Sequence, residues 1–319
     1  MKRPSVHVSA IIACLLFVVA AVVASPARPG QGDWTFIPFD VPGSNNASGL
    51  TNAFPLDINA RGDIVGRYAG GGLTHGFLRT ADGTFVTIDY PGAPFTVAGG
   101  INSEGVIVAW YAMAAVPGPL TERHGFLFRD GEFIPFDPPG SVFTNPLGIN
   151  PAGDVVGRFC TAFPCGRSGS GNYHGFRWRD GEAVTIDPPN ARETNAWKIS
   201  ADGDVVGSFR EAGGPNRLFL LQGDLFTLFD LPGALPITQD NGGLNTRGDI
   251  VGTYCDAAPC ELTSPGTHGF LLRLGQFENI DYPGAAATAA IGINASGHIT
   301  GAFRDASGTN HGYILTGRD

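Results

Sequence analysis

The chain has 319 residues, 47 of them glycine and 24 proline, with only 15% charged and a net charge of −9. Such a balance suits a turn-rich β protein and sets aside a helical one. The excess of acid repels phosphate backbones, which argues against nucleic acid or an anionic membrane surface as partner.

Taken from the start, the chain opens on an export signal. Lys2 and Arg3 precede an apolar run over residues 11–24, and small residues follow up to Ala27. The run is short for a bilayer span. Residues 1–27 are therefore read as a signal peptide, cleaved after Ala24 or Ala27, and residues 28–319 as one domain. The expected address is secreted, periplasmic or cell surface, with no membrane span after cleavage. Loss of Lys2 and Arg3 takes the net charge from −9 to −11.

A repeat then fills the remainder. One signature, Ile-Asn-x-x-Gly-Asp-Ile-Val-Gly, starts at Ile58 and again, as a close variant, at Ile149. Looser copies start at Ile101, Ile199, Leu244 and Ile293, and successive copies lie 43, 48, 50, 45 and 49 residues apart. A second signature, His-Gly-Phe-Leu, keeps step with it at His75, His124, His174, Arg217 (replacing His), His268 and His311. Each unit thus holds four short apolar runs. Run A ends in Asp, run B ends at Ile-Asn, run C is Asp-Ile-Val-Gly, and run D begins at the His. B and C meet at an Asn-x-x-Gly turn, and D and A at an Asp-Gly turn, both suited to tight reversals.

Four-strand units at this period, six times over, predict an all-β fold, a six-bladed β-propeller of four-stranded blades. The alternative is a β solenoid. The last unit stops after run D, while residues 34–40 form a run A with nothing before it. A ring closed by that N-terminal strand removes two bare sheet edges.

The pattern Ile-Asn-x-x-Gly-x-Ile-Val-Gly followed by His-Gly-Phe-Leu resembles the bacterial extracellular repeats called the HAF family, with His-Gly-Phe in place of His-Ala-Phe. The resemblance implies export and repetition. It brings no activity and no catalytic residues.

Folding each D–A hairpin about its turn sets a basic side chain across from an acidic one. The pairs are His75–Asp89, His124–Asp137, His174–Asp187, Arg217–Asp230 and His268–Asp281, with His311–Asp40 across the closure. A reaction needs one such pair and a scaffold needs one per unit, so these are read as cross-strand structural pairs. The cysteines at 160, 165, 255 and 260 pair locally as Cys160–Cys165 and Cys255–Cys260, with a four-cysteine zinc site as the competing arrangement.

Tight turns occupy one face, and the long, unequal C–D connections the other, which is where a ligand is expected. Residues that break the repeat are the binding candidates. Asp57 and Lys198 stand where other copies have Gly100, Gly148, Gly243 and Gly292; Trp197 precedes Lys198. Trp110 and Tyr111 stand at the loop end of run C, where exposed rings could stack on sugars. Arg217 replaces the rim His; Tyr68, Phe159 and Tyr254 are weaker candidates. Arg61-Gly62-Asp63 and Arg247-Gly248-Asp249 spell an adhesion tripeptide within ordinary turns. Asp202 and Asp204 come nearest to a calcium loop. No metal or other cofactor is expected. The reading is a monomeric, non-catalytic module for an extracellular glycan, protein or small ligand. Its alternative is an extracellular hydrolase or lyase with a site at the mouth of the central channel.

Overall fold

Short runs of β-branched and aromatic residues, many of them ended by a glycine turn, form 25 strands among the residues described by the computed structural model. These are 34–45, 53–115, 117–118, 120–165, 173–231, 235–236, 242–256 and 264–317. The expected signal peptide lies outside them.

Strand β1 (Thr35–Phe39) stands alone at the start. Unit one follows as β2 (Phe54–Ile58), β3 (Ile64–Gly70), β4 (Leu73–Arg79) and β5 (Phe85–Ile88). Unit two is β6 (Phe95–Ile101), β7 (Ile107–Ala112), β8 (His124–Arg129) and β9 (Glu132–Phe136). Unit three is β10 (Phe143–Ile149), β11 (Val155–Cys160), β12 (His174–Arg179) and β13 (Glu182–Ile186). Unit four is β14 (Ala191–Ile199), β15 (Val205–Glu211), β16 (Asn216–Gln222) and β17 (Leu225–Phe229). In unit five the first run is split into β18 (Leu235–Pro236) and β19 (Gly242–Leu244), before β20 (Ile250–Cys255), β21 (Thr267–Arg273) and β22 (Gln276–Ile280). The last strands are β23 (Ala287–Ile293), β24 (Ile299–Arg304) and β25 (Asn310–Thr316).

Within each unit the strands form an antiparallel meander. The D–A hairpins turn as their sequence requires: Asp130 and Gly131 have φ of 52° and 83°, the left-handed pair a two-residue turn needs. β1 pairs with β25 from Thr35↔Thr316 to Phe39↔Gly312 and completes the sheet of β23 and β24. A linear solenoid has no place for that pairing.

Hydrogen bonding divides the described strands into five sheets rather than six, because units one and two merge into one of eight strands. The join is a single parallel pair, Thr74↔Phe95. The same kind of link recurs without merging sheets, as Arg123↔Phe143 and as Thr194 N–H donating to the Tyr173 carbonyl at 2.9 Å. It is a tie between neighbouring sheets.

First strands lie innermost and are mostly buried, and β6, β10 and β23 are covered along their full length. They approach one another so closely that a Cβ on Gly148 would sit 2.9 Å from the Lys198 Cα, and one on Gly292 3.0 Å from the Asp57 Cα. Glycine before Ile-Asn is thus a packing requirement around the axis. A second tie runs round the ring. Each turn asparagine uses Oδ1 to accept from its own turn and Nδ2 to donate to the next unit's carbonyl. Asn59 donates to Asn102 (3.1 Å), Asn102 to Asn150 (3.2 Å), Asn150 to Ser200 (3.4 Å), Asn245 to Asn294 (3.3 Å) and Asn294 back to Asn59 (3.0 Å).

Candidate functional site

The innermost strands share one irregularity. The register slips by a residue at Pro55/Asp57, Ala98/Gly100, Pro146/Gly148, Ala196/Lys198 and Ala290/Gly292. A bulge re-aims the side chain that follows it, and in units one and four that side chain is charged. Asp57 and Lys198 meet across the axis, Nζ to Oδ2, at 3.0 Å. Lys198 also donates to the carbonyls of Leu147 (2.6 Å) and Gly99 (3.0 Å), so its three protons reach three other units. Asp57 accepts in addition from the backbone of Ile58 (3.0 Å) and Ile101 (3.1 Å).

Both groups are buried, at 8% and 7% exposure, so these two binding candidates are not open to solvent. Burial raises the Asp57 pKa above the usual carboxylate value, with Lys198 opposing the shift, and burial lowers that of Lys198, with Asp57 opposing. The pair is a saturated pin joining four units.

The aromatic candidates are also spent on packing. Trp110, expected at an exposed rim, is 6% exposed. It stacks on Phe95 with ring centroids 5.2 Å apart, and the Arg123 guanidinium lies 4.3 Å above it. Trp197 is 2% exposed and lies flat on Gly242, where any Cβ would collide with its ring. Tyr111 is half-buried and stacks face to face on Tyr90 of the preceding unit at 3.7 Å. Burial, then its bond to Tyr90, pushes its pKa up to about 12.

At the long-loop rim the basic–acidic pairs form a repeated series. Nδ1 to carboxylate distances are 2.8 Å for His75–Asp89, 2.8 Å for His124–Asp137, 2.6 Å for His174–Asp187, 2.7 Å for His268–Asp281 and 3.0 Å for His311–Asp40. Arg217 grips Asp230 with two nitrogens at 3.0 and 3.2 Å. Each basic group also lies against the aromatic side chain of run C: Tyr68 on His75, Tyr111 on His124, Phe159 on His174, Phe209 under Arg217, Tyr254 on His268 and Phe303 on His311. At His268 a second carboxylate, Asp256, approaches Nε2 at 3.2 Å. Burial of that ring opposes its charge, but the bonds to Asp281 and Asp256 outweigh burial and raise its pKa.

Cys160 and Cys165 are joined by a disulfide in the third C–D connection. Of the second expected bridge, Cys260 lies outside the described residues. The adhesion-like tripeptides are tied within themselves, Arg61 to Asp63 at 2.9 Å and Arg247 to Asp249 at 3.1 Å. Among the described residues, no cluster of three or more His, Cys, Asp or Glu is placed to hold a metal, and no helix is long and apolar enough to cross a membrane.

The C–D connections of units one and two carry three exposed apolar side chains outside the repeat pattern. Leu73, Met113 and Leu120 are 38%, 66% and 66% exposed there. Leu73 opens β4, and Met113 and Leu120 lie between β7 and β8; none matches a repeat position, and only their exposure in the folded chain marks them.

No protein-family model matches the chain, and no curated protein does. Solved structures share its shape. A TolB-type protein from Agrobacterium tumefaciens aligns over 84% of this chain and 91% of that one, at 12% identity and a TM-score of 0.50. The fold is a β-propeller with four-stranded blades. Virginiamycin B lyase from Staphylococcus aureus aligns over 89% of this propeller and 100% of its own chain, at 14% identity and a TM-score of 0.47. A lectin from Aleuria aurantia aligns over 84% and 94%, at 9% identity and a TM-score of 0.48. At these identities the likeness is one of fold alone.

Proposed function

We propose that this propeller is a secreted, non-catalytic binding module of the HAF-repeat type. It has six blades, counting the eight-stranded sheet as two, and it takes a glycan, protein or small ligand on its long-loop face. The count rests on six equivalent meanders and on the single-pair nature of the join between β4 and β6.

The observation that carries the functional reading is the exposure of Leu73, Met113 and Leu120 on the C–D connections. Three exposed apolar side chains on variable connections, above a rim clamped by ion pairs and stacked rings, suit capture rather than chemistry. The charged groups best suited to catalysis, Asp57 and Lys198, are buried and bonded to one another.

A thermal-shift screen of the purified protein against glycans, peptides and small molecules tests the reading. A ligand at a hundred times its Kd stabilises by about 2.7 kcal/mol, a rise of roughly 5 °C for a domain of this size. Met113→Asp with Leu120→Ser removes that rise. Turnover of any compound, or a rise that survives the double variant, overturns the proposal.

A further inference from the structure

The opposite face, built of tight turns, contains a break in the repeat. The third residue after each rim basic group is Leu78, Leu127, Leu220, Leu271 or Ile314, except in unit three, where it is Arg177. In units one and two this leucine sits across from another apolar residue, Leu78 from Val86 and Leu127 from Ile134, on the outer part of the blade. In unit three the cross-strand pair is Arg177↔Val184. The Arg177 guanidinium is drawn down to Asp154 at 2.6 Å and Arg179 joins it at 2.8 Å.

Where a leucine would fill the wedge between blades three and four, a groove of about 680 Å³ remains. Its size is that of a ligand site. Its apolar lining comes from Val184 on blade three, at 65% exposure against 41% for Ile134, and from Leu221 and Phe226, which are paired on blade four. The rim is acidic, carrying the exposed carboxylates of Asp180, Glu182, Asp202 and Asp224. The two cations of the lining are both engaged with Asp154, so the field over the groove is negative.

We infer that this wedge is a second binding site, separate from the long-loop face, for a basic peptide segment of a partner protein: an apolar side chain enters between Val184 and Phe226, and flanking Lys or Arg residues meet the rim carboxylates. The chemistry selects against acidic ligands by repulsion and against purely polar basic ones, which leave the apolar lining uncovered.

The probe is a fluorescein-labelled peptide, Lys-Leu-Lys-Leu-Lys, titrated against the purified protein and followed by anisotropy. It binds saturably, more weakly as salt rises, while Glu-Leu-Glu-Leu-Glu does not bind and Lys-Ser-Lys-Ser-Lys binds about tenfold less tightly. Arg177→Leu, which restores the leucine of the sister units, weakens binding by about tenfold or more. Val184→Asp, at an exposed position that tolerates polarity, does the same and covers the case in which Arg177→Leu fails to fold. Asp82→Asn with Asp130→Asn, on turns of other blades, leaves binding unchanged, as does Met113→Asp on the opposite face. Absence of saturable binding, equal binding of the serine peptide, or wild-type affinity in folded Arg177→Leu or Val184→Asp overturns the inference.

Discussion

Replacing Lys198 by methionine tests the hub directly. The variant keeps the length of the side chain and removes its charge. It strands the Asp57 carboxylate, with only the Ile58 and Ile101 amides left to it, and frees the Leu147 and Gly99 carbonyls at 2.6 and 3.0 Å from the lost nitrogen. Breaking a buried pair by removing one partner costs about 3–5 kcal/mol. At about 2 °C per kcal/mol for a domain of this size, the midpoint of thermal unfolding falls by roughly 6–10 °C. Asp57→Leu combined with Lys198→Met replaces the pair by apolar groups and recovers most of that loss, since such exchanges are often neutral. The pH dependence has a definite sign. Burial raises the Asp57 pKa in the folded protein, and loss of Lys198 raises it further. The folded state then holds the proton more tightly than the unfolded one. Stability therefore falls as pH climbs from the ordinary carboxylate value through the folded one, and the deficit of Lys198→Met shrinks on acidification. Circular dichroism melts at pH 7 and pH 4.5 on all four members of the cycle measure this. A single variant that melts within a degree or so of wild type, or a double variant that loses the sum of both singles, would refute the view of the pair as a pin.

Two further outcomes follow from the rim and the inner strands. The His268 ring titrates above the ordinary histidine value; its stabilising contribution is complete below that value and fades as pH rises through the folded one, and Asp256→Asn lowers the pKa, as read from the ring-proton NMR signal. An unchanged titration would remove Asp256 from the account. Gly157→Ala puts a Cβ against the Asn145 carbonyl and 2.9 Å from the Phe176 ring, and lowers stability by about 3 kcal/mol or more. A chemical-denaturation midpoint like that of wild type would show the strands can part there at little cost.

The outline of the ring is written locally, which is why it can be read from sequence. A two-residue turn at Asp130-Gly131 fixes which residues face each other, so the distance from His124 to Asp137 follows from counting. The unmatched strand at residues 34–40 and the missing run A at the end announce the pairing of β1 with β25. The hub is written non-locally. That Lys198 points inward depends on a bulge at Ala196/Lys198, which has no residue signature of its own. That Trp110 is covered depends on Arg123 and Phe95 arriving from other strands. Arg177 is an intermediate case. Its column of leucines is visible in the sequence, but the groove it opens exists only because Asp154 pulls the guanidinium aside.

The pairing of β1 with β25 bears on how the molecule is made. Strand β1 is made well before its partner: the contact of His311 with Asp40 spans 271 positions. Until β25 is made the opening strand has no strand partner, and its bare edge is free to add to whatever sheet it encounters. Pro38, which carries no amide proton to donate, stands in the middle of that strand and blunts such additions. Exchange of opening strands between two unfinished chains would give a swapped dimer, the misassembly that a closure of this kind invites.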